Sequence, residues 1–299
     1  KKIRGDAIAN AYALLKAGKI VAVKGPGGFH LACDARQPAS VAALRKSKGH
    51  PAAPFPVMFA NALSAADCVQ VNLGEPGLLN LPERPVILLR KRGRCDSLLP
   101  GVAPNLPRLG VVLPFSPTHY LLFHEAAERP SGTDWLDQKQ ELALVMTSGN
   151  PAQEPMATGN AEALQRLSGM ADAFLVNDCD IVTRCDDSVA HAVPGGIQLL
   201  RRARGYAPRA IKMHHSGPPV LAVGGFLKNT VCITRGDEAF VSQHIGTLST
   251  PESCAFFDET LRHLLDILEV APALIAHDFQ KDTHAFEFAT RMALQRGIP

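Results

Sequence analysis

Two strand ends in this chain carry residue types that could grip an anion. In Val21-Ala-Val-Lys-Gly-Pro-Gly-Gly-Phe-His30 a short apolar run breaks into glycines and then turns polar. In Leu144-Val-Met-Thr-Ser-Gly-Asn150 a second apolar run ends in hydroxyls and an amide. Small, permissive residues at such ends let backbone N–H groups come close to phosphate or carboxylate oxygens. The pair predicts a site for an anionic small molecule, with Lys24, Gly27, Gly28 and His30 on one side and Thr147, Ser148 and Asn150 on the other. A glycine-rich loop alone serves ordinary turns more often than phosphate cradles, and a Thr-Ser turn can simply cap the next segment. The reading rests on finding two such ends in one chain.

Cations for that anion stand in Arg45-Lys-Ser-Lys-Gly-His50, at the end of a helix. Basic residues there also complement the negative end of the helix dipole, an equally good account of them. As an anion clamp they would do more, because negative charge builds on departing pyrophosphate when a nucleotide is activated, and a fixed cation in a dry site opposes it strongly. Lys48 is the first catalytic candidate, with Ser148 and Asn150 beside it. A third set, Asp186-Asp187-Ser188 with Arg201-Arg-Ala-Arg204, could give carboxylates to a metal and guanidinium groups to phosphates, or could be a surface ion-pair cluster. No G-x-S-x-G elbow announces a nucleophilic triad.

Positioning these ends takes an α/β fold with a mixed sheet. Asp6 is placed to cap a helix bearing Ile8, Ala11, Tyr12 and Leu15, with Gly18 as its stop before a strand over 20–23. A helix over 39–46 and, after the proline-rich stretch 51–56, a strand over 57–60 follow. Strands over 86–89 and 109–113, a helix from Ser116 and a strand over 142–146 come next. A helix over 161–167 capped by Asn160, a strand over 173–176 and a hairpin of 188–193 with 197–201 about Pro194-Gly-Gly196 complete a first domain, 1–206. Residues 207–219, with His214-His215 and no periodic apolar pattern, read as an exposed linker rather than a metal site. A second domain, 220–299, reads as strands over 220–223, 230–234 and 239–242 with a turn at Gly236-Asp237, then a helix over 251–268, a strand over 274–276 and a last helix. That span is short for such a pattern, so the domain is expected to be incomplete.

The 299 residues are 46% hydrophobic and 20% charged, with a net charge of +3. Those values fit a globular core, and the small, locally grouped positive charge favours local anion sites over a nucleic-acid surface. Seven scattered cysteines without a C-x-x-C pair argue against a disulfide framework or a zinc finger and for a reducing cytoplasm. No stretch is long and apolar enough to read as a membrane span. A start without Met is expected of a piece of a longer chain.

The motifs taken together are more specific. Lys24-Gly-Pro-Gly-Gly-Phe-His-Leu-Ala-Cys-Asp34, Leu109-Gly-Val-Val-Leu-Pro114, Thr147-Ser-Gly-Asn150, Cys185-Asp-Asp-Ser188, Leu200-Arg-Arg-Ala-Arg-Gly-Tyr206, Leu227-Lys-Asn-Thr230 and Ser242-Gln-His-Ile-Gly246 run through the whole chain. The set resembles HypF, the carbamoyltransferase family of NiFe-hydrogenase maturation. The resemblance implies a YrdC-like mixed twisted sheet with flanking helices, followed by part of an ASKHA-type (actin-like), TsaD-like α/β domain. It implies that the first module uses ATP, with Mg, and carbamoyl phosphate to make carbamoyl adenylate. The second would pass the carbamoyl group to the C-terminal cysteine of HypE, on the way to a cyanide ligand. On this resemblance Ser188, Arg201 and Arg204 join the ATP-binding set, and Lys228, Asn229 and Thr230 serve the second module. Zinc or iron is expected only beyond Pro299, where a His-x-x-x-His motif would stand, and no metal ligand is assigned here. The alternative is a catalytically impaired nucleotide- or RNA-binding module. It draws on departures from the family pattern: His50 and Ala53 for a usual Arg and Lys, His191 for Arg, Phe226 and Thr247 for acidic residues, and Gln280 for His.

Overall fold

The computed structural model describes residues 3–49, 52–71, 75–194 and 196–299, so the expectations for His50, Pro51 and the turn at Gly195 lie outside the described residues. The chain forms two compact units, residues 1–152 with 156–201, and 153–155 with 202–299.

The first unit is built on a mixed sheet. Its strands are β1 (Val21–Lys24), β2 (Phe29–Asp34), β3 (Val57–Phe59), β4 (Val86–Arg90), β5 (Arg108–Val112), β6 (Ala143–Ser148), β7 (Ala173–Leu175), β8 (Val189–Val193) and β9 (Gly196–Arg201). Among the described residues they lie in the order β7-β1-β2-β6-β3-β5-β4-β8-β9. Pairs β1/β7, β3/β5 and β4/β8 are parallel and the rest antiparallel. The central strands bury both faces, which is why they read as apolar runs rather than alternations. Leu31, Cys33 and Val145 enter one core, while Val21, Ala32 and Leu144 enter the other.

Helices cover both faces. Helix α1 (Ala7–Lys16) starts at Asp6, whose carboxylate accepts the Ile8 and Ala9 N–H groups, and buries Ala11 and Leu15. Helix α2 (Pro38–Lys48) buries Val41 and Leu44 and ends at Gly49, φ +66°. It runs two residues past the expected end, which puts Lys48 inside its last turn. The short helices α3 (Ala62–Ala65), α4 (Glu75–Leu79) and α5 (Cys95–Leu98) precede α6 (Pro117–Ala126), which Ser116 caps. Helix α7 (Asn160–Leu167) corrects one expectation: its cap is Gly159, because Glu162 reaches back to the Thr158 and Gly159 N–H groups. Asn160 is left to donate to the Asn177 carbonyl.

The second unit holds a four-stranded sheet of order β10-β12-β11-β13, with β10 (Ile211–Gly217), β11 (Val220–Ala222), β12 (Cys232–Val241) and β13 (Leu274–Ala276). Helices α8 (Pro251–Leu268) and α9 (His284–Arg296) pack their apolar faces with it. Two expectations fail here. The stretch taken as a linker holds β10, an almost wholly exposed strand stabilised by pairing with β12 rather than by burial. Gly236-Asp237 is not a hairpin turn: Gly236, at φ +62°, lies within the continuous β12 opposite Gly217, where the register shifts. A glycine inside a strand often marks such an irregularity.

Candidate functional site

Antiparallel pairing of β2 with β6 sets His30 opposite Ser148 and Leu31 opposite Thr147. Both glycine-bearing ends therefore lie at one end of the sheet. The Gly149 N–H donates to the Phe29 carbonyl at 2.6 Å and the Gly149 carbonyl accepts from Ala157, whose own carbonyl accepts from Phe29. A Cβ on Gly149 would stand 2.6 Å from the Phe29 carbonyl oxygen, and one on Gly27 would stand 2.2 Å from the Cys185 carbonyl oxygen. These glycines are needed where backbones meet, a reason that composition alone cannot reveal.

Lys48 is brought here from α2. Its Nζ donates to the Ser148 carbonyl at 2.8 Å, the Asn150 carbonyl at 2.9 Å and Asn150 Oδ1 at 2.8 Å. All three ammonium protons thus go to the turn, so Lys48 both fixes its shape and places a positive charge behind it. Only 6% of the residue is exposed. Burial lowers its pKa to about 8, with the Asp186 carboxylate pulling the other way.

His30 is buried, with Nε2 3.3 Å from Asp187 Oδ2 and its ring edge-on to Phe115. That approach lacks hydrogen-bond alignment, since neither ring nitrogen has a hydrogen-bond partner. Lys24 is buried too, and its Nζ donates to the Asn177 carbonyl at 3.3 Å. Ser188 is fully buried, its carbonyl accepting the Val86 N–H. Arg201 Nη1 meets Asp186 Oδ2 at 2.5 Å, and Asp186 Oδ1 accepts the Asp187 N–H. This favours the ion-pair account of that set over a bare metal site. Among the described residues no three His, Cys, Asp or Glu side chains gather to hold a metal ion.

The other candidates belong to the second unit. Half-buried Arg204 is there, and so is the loop after β11, where Asn229 is buried and acts as a latch. Its Nδ2 donates to the Val223 and Gly225 carbonyls and its N–H to the Gly246 carbonyl. Lys228, at φ +49°, is exposed, and Thr230 is half-buried with its carbonyl 2.3 Å from where a Gly224 Cβ would be. Phe226, the departure from an expected acid, packs against the second unit's core. The exposed Gln280 donates its N–H to Asp278. Ala157 and Asn177 carry no sequence signal for the first site, and Cys185 and Asp187, marked within Cys185-Asp-Asp-Ser188, reach it by long-range contacts that no local pattern shows.

Comparison with known proteins agrees with this layout. Residues 13–203 match the Sua5/YciO/YrdC family, described as telomere recombination, and residues 215–298 match the HypF Kae1-like domain. A carbamoyltransferase HypF2 of Cupriavidus necator is 54% identical over 98% of this chain, and a carbamoyltransferase HypF of Rhizobium leguminosarum bv. viciae is 40% identical over 94%. The chain spans 37% and 36% of their lengths. A crystal structure of full-length HypF in a phosphate- and nucleotide-bound form superposes with TM-score 0.87 at 40% identity, covering 97% of this chain and 36% of that one. A crystal structure of T. kodakarensis HypF gives 0.90 at 34% identity, covering 100% and 37%.

Proposed function

The chain belongs to the HypF family, with a Sua5/YciO/YrdC module followed by a HypF Kae1-like stretch, and from that premise we propose that it activates carbamoyl phosphate with ATP. The observation that carries this reading is the convergence of Lys48 on the Ser148–Asn150 turn beside the Gly27–Gly28 loop. ATP would lie along these strand ends with its phosphates toward the glycine loop and the turn. Lys48, held by three carbonyl-type acceptors and shielded from water, would stabilise the charge that grows as pyrophosphate leaves. Its position is set before the ligand arrives, so little reorganisation is spent during the reaction. Ser148 and Asn150 would orient the carbamoyl group, and His30 would face it from the adjacent strand with Asp187 behind its ring. Mg would travel with the triphosphate, since Asp186 is engaged by Arg201.

The product is carbamoyl adenylate, which the second unit would use to carbamoylate the C-terminal cysteine thiol of HypE for cyanide ligand synthesis in hydrogenase maturation. A reducing cytoplasm suits this chemistry, and all seven cysteines are free thiols. Among the described residues no helix is long and apolar enough to cross a membrane. The test is carbamoyl-phosphate-dependent exchange of labelled pyrophosphate into ATP. Exchange that needs carbamoyl phosphate and disappears in Lys48→Ala supports the reading. Nucleotide or RNA binding with no exchange would replace it with a binding module.

A further inference from the structure

At the far end of β2 and β6 from the glycine loop lies a cleft of about 510 Å³, bordered by α1, the end of α6 and the segment leading into β6. His30 pairs with Ser148 at one end, and Asp34 pairs with Leu144 at the other. Those ends are four residues apart, about 13 Å of strand. The cleft is therefore separate from the ATP site, and its volume is in the range that holds small ligands.

Its charges are unevenly matched. Arg36 has its backbone N–H fixed by Asp34 Oδ1, while Asp34 Oδ2 takes the Gln37 side-chain amide. The Asp34 carboxylate is thus occupied by groups other than the Arg36 guanidinium. Asp67, the other acid close by, is held by Lys139 at 2.7 Å. The Arg36 Nε–H is shut away from solvent without an acceptor, and no described carboxylate pairs with that guanidinium. Gln140 is 9% exposed, and its Oε1 is likewise sealed without a donor. Lys16 adds an exposed cation on the α1 wall, and Glu141 is an exposed acid. The C-terminal ends of α1 and α6 bring partial negative charge to the opposite wall, which confines an anion to the Arg36 side. Tyr12 and Trp135, both half-buried, supply flat apolar surface.

We propose that this cleft is a second ligand site, which takes a small oxyanion, carboxylate or phosphate, carried on a planar body. The guanidinium of Arg36 offers a paired set of N–H donors to two oxygens of such a group, a geometry that lysine does not reproduce. The body lies on Trp135 and Tyr12. Binding gives Arg36 a directly paired counter-ion in place of the longer-range charge of Asp67, and a site between two helices and a strand end is suited to influence the sheet that carries the ATP loop.

Trp135 is the only tryptophan in the chain, so tryptophan emission comes from a residue that lines this cleft. The protein is titrated with benzoate, phenyl phosphate and inorganic phosphate while tryptophan emission is followed. The proposal expects a saturable change with benzoate or phenyl phosphate, weaker by at least about tenfold in Arg36→Ala and partly retained in Arg36→Lys. Lys48→Ala should leave the response intact, which separates it from nucleotide-site binding. Preference for one probe over the other identifies the oxyanion. Absence of saturable change with all three, or a change that persists undiminished in a folded Arg36→Ala protein, overturns the proposal.

Discussion

Lys48 shows how one side chain can have two duties. Its amine fixes the turn that carries Ser148 and Asn150, and its charge sits where the departing phosphate charge would grow. Burial lowers the folded-state pKa to about 8, below the ordinary lysine value near 10.5. Between those values the unfolded chain holds a proton that the folded chain has released, so stability from this group rises with pH across that window. It is lost again as pH falls through about 8. An anion beside the amine would push its pKa back up. Nucleotide binding just above pH 8 should therefore take up a proton, visible by calorimetry in two buffers of different ionisation heat, and affinity should fall as pH rises further. Lys48→Met should abolish the uptake. Equal proton uptake in that variant would assign it to another group.

The glycines offer a second residue-scale test. Gly27→Ala must place a methyl group 2.2 Å from the Cys185 carbonyl oxygen, a backbone atom that cannot swing aside. Loop movement should cost about 1–3 kcal/mol and weaken nucleotide binding. Gly93→Ala meets nothing within 4 Å and is the control. Denaturant melts that leave Gly27→Ala and Gly93→Ala equally stable would show that the loop has room to spare.

At the scale of elements, α8 is the best-specified piece of the second unit. Thr250 accepts the Ser253 N–H and proline occupies the first turn. Thr250→Ala should cost about 1 kcal/mol, measured as a lower denaturant midpoint with unchanged slope. No shift would mean that the apolar face holds the helix without its cap. Helix α8 was legible in the sequence to its last residue because a proline at its start and the apolar period that follows agree. Strand β10 was not, because its side chains are mostly exposed and its partner β12 lies beyond β11 in the chain. The same holds for the site. Residue types marked Lys48, Ser148 and Asn150, but only the register of β2 with β6 and the full length of α2 bring them into contact. Asn177 had no marker at all, since it acts through its backbone carbonyl, while Cys185 and Asp187 stood in a marked motif whose nearness to the glycine loop and to His30 only the fold reveals.

For the whole molecule, two compact units imply a division of labour that can be measured. The first carries the proposed activation site and the only tryptophan, whereas Asn229 latches a loop in the second. Removing that latch in Asn229→Ala leaves two carbonyls without donors inside the protein, at a cost of about 1–3 kcal/mol. If the units are independent, this loss falls on the second alone. Circular dichroism, which sees both, should then show an earlier unfolding step, while the Trp135 fluorescence transition stays in place. Carbamoyl-phosphate-dependent pyrophosphate exchange should remain within about twofold of the parent, and Lys48→Ala should lower it at least about a hundredfold, the scale expected for one preorganised charge in a dry site. A matching shift of the Trp135 transition in Asn229→Ala would show that the units unfold together. Exchange that falls as far in Asn229→Ala as in Lys48→Ala would show that activation needs the second unit as well as the first.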